Sequence, residues 1–255
     1  MKIIGIIPAR MASSRFPGKP LAKIHNIPMI GHVYFRSKMS KVLSQVYIAT
    51  CDSEIKDYAR SIMAESIMTL DTHQRATDRT AEALCKIEKQ GDYKVDIVVM
   101  IQGDEPMLTP GMIDMAVEPM LRDKSIQVVN LMAPLETSSE HNDPNEVKVV
   151  VDREGFAMYF SREPIPSKKK TDKKVPMLKQ VCVIPFRRDF LLKFLELEPT
   201  TLEIVESVDM LKAMEHQYKV KMVLSNSITY SVDTQTDLEK VTDMMKDDVL
   251  LKLYE

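Results

Sequence analysis

The sequence has no tryptophan, and among its 255 residues there are only seven glycines and three cysteines. Cys51, Cys85 and Cys182 are far apart and form no CxxC pair, which argues against a disulfide framework or a zinc site and favours a reducing cytoplasm. No apolar run approaches the roughly eighteen residues of a membrane span. Lys2 leads directly into an apolar segment, so we expect no signal peptide and no membrane insertion.

The absence of several sequence motifs argues against several kinds of functional site. The sequence contains no GxxxxGK[ST], no GxGxxG and no GxSxG, and its five histidines form no spaced cluster. These absences argue against a P-loop, a dinucleotide fingerprint, a nucleophilic serine and a histidine-rich metal centre. A net charge of −2 gives no general basic field, so nucleic acid is not an expected partner. Residues 167–174 (SKKKTDKK) are basic, and we interpret them as a solvated linker; a nucleic-acid role would depend on them alone.

Apolar runs alternate with helical segments along the first half of the chain. This alternation is typical of a mostly parallel sheet with crossover helices. The predicted strands are 3–7 (ended by Pro8), 45–50, 66–69 and 95–101, and the predicted helices are 28–39, 53–64 (capped by Ser53), 78–89 and 110–121. The second half predicts strands at 127–133, 178–184 and 219–224, a hairpin of 147–151 with 156–160, and helices at 187–197, 202–217 and 236–246. We therefore predict one α/β domain over residues 1–255, with a β-rich extension at about 134–190.

The loop after the first strand is the strongest candidate for a binding site. Arg10, Arg15 and Lys19 lie within ten residues, and Ser13 and Ser14 stand between them. Ligands of open α/β sheets bind beyond the carboxyl ends of the strands, where backbone N–H groups also favour anions. Cations and hydroxyls in this place predict a polyphosphate site, the alternative being a basic surface loop.

Two carboxylates are candidates for a metal site. Asp104 follows the strongly apolar strand 95–101 and therefore faces the same sheet edge as the opening loop. Asp233 follows the strand-like Tyr230-Ser231-Val232. Mg²⁺ in nucleotide sites is often held by one or two carboxylates together with phosphate oxygens. Each aspartate has an ordinary alternative, since both also fit turns or helix caps.

Three further groups leave alternatives open. Gln74 and Arg75 precede a predicted helix, where they fit either a nucleoside contact or a loop with a cap at Thr77 or Asp78. Arg162 fits either a clamp for a substrate carboxylate or an ordinary ion pair. Three acidic residues at a spacing of three fit either sugar hydroxyls or a polar helix face: Glu203, Glu206 and Asp209.

Four stretches, in order and spread over nearly the whole chain, resemble the 3-deoxy-manno-octulosonate (Kdo) cytidylyltransferases and the related acylneuraminate cytidylyltransferases. They are PARMASSRFPGKPLA at 8–22, QGDEP at 102–106, DPNEVKVVVDREGFAMYFSREPIP at 143–166 and SVDTQTDLE at 231–239. The resemblance implies a Rossmann-like α/β nucleotidyltransferase fold of the nucleotide-diphospho-sugar transferase type, with a β-rich extension that builds a homodimer. It also implies transfer of CMP from CTP to a sugar acid.

Carried over by position, the resemblance assigns a role to each candidate. Ala9, Arg10, Ser13, Ser14, Arg15, Lys19, Gln74 and Arg75 would contact CTP, with Arg10, Lys19 and Asp104 taking part in catalysis. Asp104 and Asp233 would hold Mg²⁺. Gln102, Arg162, Gln180, Ile184 and Glu206 would line the place of the sugar acid.

Two departures from the family pattern concern nucleotide and acceptor choice. Arg75 and Ala76 stand where Kdo enzymes usually have Ser-Gly, next to the nucleotide. Gln180 and Ile184 stand where the family has a histidine and a tyrosine that help to bind the sugar. The open alternatives are therefore a modified or amino Kdo, a nonulosonic acid or another sugar acid as acceptor, or a different nucleotide. A non-catalytic nucleotide-binding module is a more distant alternative.

Overall fold

A computed structural model describes residues 1–12, 15–170 and 175–255. Ser13, Ser14 and the end of the basic stretch 167–174 lie outside the described residues. The strands are β1 (Ile3–Ala9), β2 (Lys23–Ile24), β3 (Ile27–Pro28), β4 (Gln45–Thr50), β5 (Glu65–Met68), β6 (Ile97–Ile101), β7 (Val128–Pro134), β8 (Lys148–Val151), β9 (Ala157–Ser161), β10 (Leu178–Val181), β11 (Val183–Arg187) and β12 (Val220–Leu224).

The α-helices lie mostly between these strands, and the last one follows them. They are α1 (Met29–Lys38), α2 (Ser53–Ser61), α3 (Ala76–Gly91), α4 (Pro110–Arg122), α5 (Ser138–Asn142), α6 (Arg188–Glu196), α7 (Thr201–Glu206), α8 (Asp209–Glu215) and α9 (Gln235–Met244). Among the described residues, no helix combines the length and the apolar character needed to cross a membrane. The chain divides into two compact units, residues 1–114 with 229–255 and residues 115–228. The single domain with a β-rich extension stays a prediction.

The first unit contains a parallel sheet in the order β5-β4-β1-β6. All seven residues of β1 are buried, as its isoleucine-rich sequence predicts for a strand covered on both faces. Pro8 does not end this strand as predicted, because the strand continues to Ala9, paired with Thr50 of β4. Gly103 follows β6, and a Cβ there would meet the Pro8 carbonyl oxygen at 3.4 Å. Glycine therefore lets the chain after β6 pass close to β1.

The second unit is organised around β7, which pairs antiparallel with β10 and β11 and parallel with β12. The predicted hairpin is confirmed as β8 and β9, and its turn contains Gly155 at a φ of 76°. The single strand predicted at 178–184 is wrong, since Cys182 separates β10 from β11. The predicted helix 202–217 is also interrupted, because Ser207 adopts a left-handed φ of 52° between α7 and α8.

Other local predictions differ in detail from the structure. α2 begins at Ser53 with Asp52 as its N-cap residue, so Ser53 is not the cap. Residues 230–232 are not a strand, although the Val232 N–H donates to the Asp104 carbonyl at 2.9 Å. α9 is capped by Thr234, whose hydroxyl accepts from the Asp237 N–H at 3.2 Å. A core of Ile24, Met29, Val232, Leu238, Val241 and Met245 packs this helix into the first unit.

Candidate active site

A cleft of about 330 Å³ lies at the carboxyl-terminal edge of the parallel sheet in the first unit. This is the edge at which open α/β sheets bind ligands. The loops after β1, β5 and β6 all contribute to it. Its lining comprises Pro8, Ala9, Arg10, Ala12, Arg15, Lys19, Pro20, Met29, His73, Gln74, Arg75, Ala76, Arg79, Gln102, Gly103, Asp104 and Asp233. Of the residues predicted from the sequence, the structure thus brings nine to one cleft: Ala9, Arg10, Arg15, Lys19, Gln74, Arg75, Gln102, Asp104 and Asp233.

The loop after β1 is closed by hydrogen bonds at its base. The Met11 N–H donates to Oδ2 of Asp52 at 2.8 Å, and the Gly18 N–H donates to the Met11 carbonyl at 3.1 Å. Gly18 has a φ of 75°, a left-handed conformation that glycine adopts without steric cost. The chain then enters a 3₁₀ turn at Lys19–Leu21. This geometry turns the backbone so that Lys19 lines the cleft.

Lys19 lies between the two aspartates that the sequence predicts as metal ligands. Its Nζ is 2.8 Å from Oδ2 of Asp104 and 3.2 Å from Oδ1 of Asp233. Arg15 Nη2 contacts the same oxygen of Asp233 at 2.9 Å. The ordinary cap interpretations are therefore not needed: Thr234 caps α9, and both carboxylates face cations.

Burial by itself lowers the pKa of Lys19, but the charges and hydrogen bonds of Asp104 and Asp233 outweigh it and hold the pKa above its ordinary value. The ammonium group is therefore charged at neutral pH. Its side chain is only 13% exposed, so its charge is poorly screened by solvent. Two carboxylates, of Asp104 and Asp233, and two cations, Lys19 and Arg15, make a charge-balanced cluster that can exchange partners when an anion enters.

The donor set fits a divalent cation that is completed by a ligand. No group of three or more histidine, cysteine, aspartate or glutamate side chains within the described residues is arranged to hold a metal by itself. Asp104 and Asp233, however, already place their oxygens on one cation, the Lys19 ammonium. Two carboxylates with phosphate oxygens are a common Mg²⁺ environment. The pair therefore suits Mg²⁺ bound together with a nucleotide.

The loop after β5 forms another wall of the cleft. Arg10 Nη1 donates to the His73 carbonyl at 3.4 Å, which links the first loop to this one. Gln74 is exposed and Arg75 half-buried, and both line the cleft. α3 begins at Ala76 with no side-chain cap, so the predicted cap at Thr77 or Asp78 is wrong.

His73 is held by a carboxylate that sequence reasoning missed. Its Nε2 lies 2.5 Å from Oε2 of Glu82, which also accepts the Leu70 N–H at 2.9 Å and pairs with Lys86. Burial alone raises the pKa of Glu82, but the hydrogen bonds from Lys86, Leu70 and His73 outweigh it and lower the pKa to about 2. Glu82 and Lys86 are four residues apart on α3 and so lie on the same side of the helix. This spacing is the sequence signal that pairs them.

In the second unit, Glu206 accepts three hydrogen bonds. The donors are the Tyr159 hydroxyl at 3.2 Å, the Ser161 hydroxyl at 2.8 Å and the Arg162 N–H at 2.8 Å. Burial raises the pKa of Glu206, but the hydrogen bonds from these groups outweigh it and the net shift is downward. Glu206 is therefore ionised at neutral pH and keeps acceptor capacity for a hydroxyl.

The Arg162 side chain binds backbone carbonyls rather than a carboxylate. Its Nε donates to the Glu206 carbonyl at 2.6 Å, and its Nη1 donates to the Pro144 carbonyl at 2.8 Å. Because Glu206 is the last residue of α7, the contact with its carbonyl places a cation at the carboxyl end of that helix, where positive charge is stabilising. The spacing of Glu203, Glu206 and Asp209 no longer places them on one face, because Ser207 breaks the helix.

The remaining acceptor candidates lie on the strands beside β7. Gln180 Nε2 donates to Oδ1 of Asn130 at 2.6 Å, and Asn130 is fully buried. Ile184, on β11, is only 3% exposed and belongs to the hydrophobic core. Gln180 thus makes a polar contact of its own, whereas Ile184 contributes apolar packing.

The family model of cytidylyltransferases matches residues 4–228. The chain is 39% identical to the 3-deoxy-manno-octulosonate cytidylyltransferase of Geotalea uraniireducens over 96% of its length and 100% of that protein's. It is 41% identical to that of Syntrophobacter fumaroxidans, over 98% and 99% of the two lengths. Fold and cleft define a nucleotidyltransferase. More specifically, the chain belongs to the cytidylyltransferase family.

Solved structures agree with this assignment. The structure of CMP:2-keto-3-deoxy-manno-octonic acid synthetase complexed with CTP is similar at a TM-score of 0.89 and 34% identity, covering 98% of this chain and all of that one. A cytidylyltransferase from Leptospira borgpetersenii is similar in fold alone, at a TM-score of 0.64 and 17% identity, covering 99% of this chain and 93% of that one. The predicted mostly parallel α/β nucleotidyltransferase fold is confirmed.

Proposed function

We propose that this enzyme transfers CMP from CTP to the anomeric hydroxyl of a Kdo-like sugar acid and releases pyrophosphate, with Mg²⁺ as cofactor. The observation that carries the proposal is the contact of Lys19 with both Asp104 and Asp233 on the cleft. This cluster combines a cation that can bind a triphosphate with two carboxylates that can bind a metal. The names of the relatives and of the CTP-bound synthetase support the substrates.

The residues of the chain act mainly by position and charge, as in phosphoryl transfer generally. Arg10, Arg15 and Lys19, with the hydroxyls of Ser13 and Ser14, bind the phosphates. When the triphosphate enters, Lys19 moves its hydrogen bonds from the carboxylates to phosphate oxygens. Asp104 and Asp233 would hold Mg²⁺, which would supply Lewis-acid stabilisation of negative charge and lower the pKa of the attacking hydroxyl. Lys19 and Arg10 then stabilise the charge on the departing pyrophosphate.

The proposal gives each of the other candidates a role that its position supports. Ala9, Gln74 and Arg75 line the cleft, where they bind the nucleoside, and Gln102 lies between β6 and Asp104. Glu206 and Arg162 bind the sugar acid, supported by the ionised state of Glu206. Gln180 and Ile184 set the choice of acceptor. A homodimer in the cytoplasm stays part of the proposal, supported for the compartment by three cysteines that are thiols rather than disulfide partners.

Incubation with CTP, Mg²⁺ and a panel of sugar acids, with release of pyrophosphate measured, tests the proposal. We expect turnover with Kdo or a close derivative. Turnover with none of the acids, while CTP still binds in calorimetry, would contradict it and favour a non-catalytic module.

A second candidate acceptor is an amino or otherwise modified Kdo. It is favoured by Gln180, which stands where the family has a histidine and whose amide donates to the buried Asn130. The same panel with the Gln180→His variant tests it. A shift of preference toward unmodified Kdo supports this acceptor, and an unchanged order of acids argues against it. Asn130 keeps its other hydrogen bonds, to the Leu131 and Val181 carbonyls, in that variant.

A further inference from the structure

Two buried polar side chains connect the loop after β6 with the segment before α9. The Thr229 hydroxyl donates to Oε2 of Glu105 at 3.0 Å, although the two residues are 124 positions apart in the sequence. Glu105 is 4% exposed and Thr229 is 2% exposed. Both belong to the first unit, and neither is among the described residues that line the cleft. They can therefore influence a ligand of the cleft only through other residues.

The residues through which they can act are the two candidate metal ligands. Glu105 directly follows Asp104, and Thr229 lies four positions before Asp233. A second bond joins the same two segments, since the Val232 N–H donates to the Asp104 carbonyl at 2.9 Å. Each segment thus contacts the other at two points next to its aspartate. Because neighbours in a chain move together, these two bonds set the spacing between the two carboxylates.

The other side of Asp233 is held by the first turn of α9. Oδ2 of Asp237 accepts from the Asp233 N–H at 3.0 Å and from the Thr234 N–H at 2.8 Å. These bonds fix Asp233 to its own helix, which packs on the hydrophobic core of the first unit. They do not join it to the loop after β6. The position of Asp233 relative to Asp104 therefore depends on the bonds from Thr229 and Val232.

Metal binding by the two aspartates is sensitive to this spacing. Mg²⁺ requires near-ideal octahedral geometry, and hydrogen-bonded neighbours commonly orient the carboxylates that bind a metal. A buried carboxylate also needs donors to replace its lost hydration, and the buried Thr229 hydroxyl supplies one to Glu105. We propose that the bond between Glu105 and Thr229 positions Asp104 and Asp233 for joint binding of the divalent cation that accompanies the nucleotide. This inference rests on the proposed function and adds to it two positioning residues.

The gain in CTP affinity that Mg²⁺ produces tests this role. Titration calorimetry gives the dissociation constant of CTP in EDTA and at saturating Mg²⁺, and the ratio of the two constants measures that gain. Thr229→Val removes the hydroxyl with little change of shape, whereas Thr229→Ser keeps it. We expect the ratio to fall roughly 3- to 10-fold in Thr229→Val, the effect of one lost hydrogen bond. In Thr229→Ser it should stay within about twofold of wild type.

A second variant tests the acceptor of the same bond. Glu105→Gln keeps an oxygen that can accept but loses the charge that strengthens the bond, so the ratio should fall by about threefold. This variant also tests the proposal if Thr229→Val does not fold. In the double variant the loss should be smaller than the product of the two single losses, because both substitutions affect one bond.

Ser40→Ala is the matched control. The buried Ser40 hydroxyl also donates to a carboxylate, Oδ1 of Asp114, at 2.6 Å. Ser40 belongs to the same unit but lies just before β4, at the amino-terminal edge of the sheet, opposite the cleft. We expect Ser40→Ala to lose stability in thermal unfolding and to keep the wild-type ratio of dissociation constants.

The other outcomes count against the proposal. An unchanged ratio in either folded single variant would overturn it, and so would an equal fall in Thr229→Ser or in Ser40→Ala, since lost stability would then explain the effect. Losses that multiply in the double variant would show that the two side chains act separately and would also contradict it. Failure of the wild-type protein to bind CTP, or no effect of Mg²⁺ on that binding, would instead refute the proposed function on which the inference rests.

Discussion

The Nζ atom of Lys19 lies 2.8 Å from Oδ2 of Asp104, although the two residues are 85 positions apart in the sequence. Each follows a strand of the parallel sheet, and the strands β1 and β6 are neighbours. The cation that we assign to the phosphates and a carboxylate that we assign to the metal are therefore in direct contact. Binding of a metal–nucleotide complex must separate them, which makes Asp104 sensitive to substitution.

Asp104→Asn removes the negative charge while keeping the size of the side chain. We expect kcat to fall by roughly 10²- to 10³-fold, the usual effect of losing one electrostatic contact in a transition state. Lys19 keeps Asp233 as a partner, so the fold should survive. Pyrophosphate release at saturating CTP is the measurement. Asp57→Asn is the matched control, since Asp57 is 66% exposed and pairs only with Arg60 among its salt bridges in the described chain. Wild-type turnover in Asp104→Asn would refute the scheme.

The proposed role of Mg²⁺ gives a second prediction. Chelation with EDTA should abolish turnover, and added Mg²⁺ should restore it. In Asp233→Asn, one of two carboxylates is lost, so we expect the Mg²⁺ concentration for half-maximal rate to rise about tenfold or more. The rate measured against Mg²⁺ concentration checks this, with Asp57→Asn again as the control. An unchanged half-maximal concentration in Asp233→Asn would remove this residue from the metal site.

The Lys19 cluster shows what the sequence could and could not predict. Lys19 and Asp104 are predictable because apolar runs mark buried strands, and the carboxyl ends of parallel strands share one edge. Asp233 follows residues 230–232, which are not a strand, so that argument does not explain its place in the cluster. The contact of Lys19 with both aspartates depends on the left-handed Gly18 and on the bond between Gly18 and Met11. Those are long-range or conformational details that no periodicity encodes. The cluster was therefore predictable as a set of residues but not as an arrangement.

Two other differences have the same physical origin. Ser207 breaks a continuous helical pattern because the segment turns there, and Arg162 then binds the carbonyls at that end. From the sequence alone, Arg79 looks like an ordinary residue on the surface of a helix. Only the folded loop after β5 shows that it is buried, with one nitrogen that has no hydrogen-bond partner within the described residues. Tertiary packing thus decided the features that local patterns left open.

Glu206→Gln tests the acceptor side of the reaction. Glutamine keeps the shape but loses the charge that accepts from Tyr159, Ser161 and the Arg162 N–H. We expect KM for the sugar acid to rise about tenfold, while KM for CTP stays unchanged, because hydrogen bonds to a charged acceptor contribute about 1.5–3 kcal/mol. Steady-state kinetics with each substrate varied in turn separates the two constants. If the role of Glu206 were purely structural, the variant would lose stability in a parallel thermal unfolding experiment. The KM for the sugar acid would then not rise relative to the KM for CTP.

The last prediction concerns stability at acid pH and rests on His32. This side chain is fully buried; its Nε2 bonds the Ile24 carbonyl at 2.8 Å and its Nδ1 bonds the Tyr254 hydroxyl at 2.9 Å. Burial, with the charge of Arg36 adding to it, lowers the pKa of His32 to about 4. The unfolded chain has the ordinary pKa of about 6.5 and so binds a proton that the folded state excludes.

The contribution of neutral His32 is therefore fully present above about pH 6.5 and is lost as the pH falls toward 4, with a total of about 3 kcal/mol. In His32→Gln the titrating group is gone. We expect this variant to be less stable than wild type at pH 7.5 but to lose less of its free energy of unfolding between pH 6.5 and 4. Urea unfolding followed by circular dichroism across this range measures both slopes. Tyr254→Phe is the control, because it removes one partner of His32 but keeps the histidine, and its free energy of unfolding should still fall steeply with pH. Equal slopes in wild type and His32→Gln would show that another group controls acid stability.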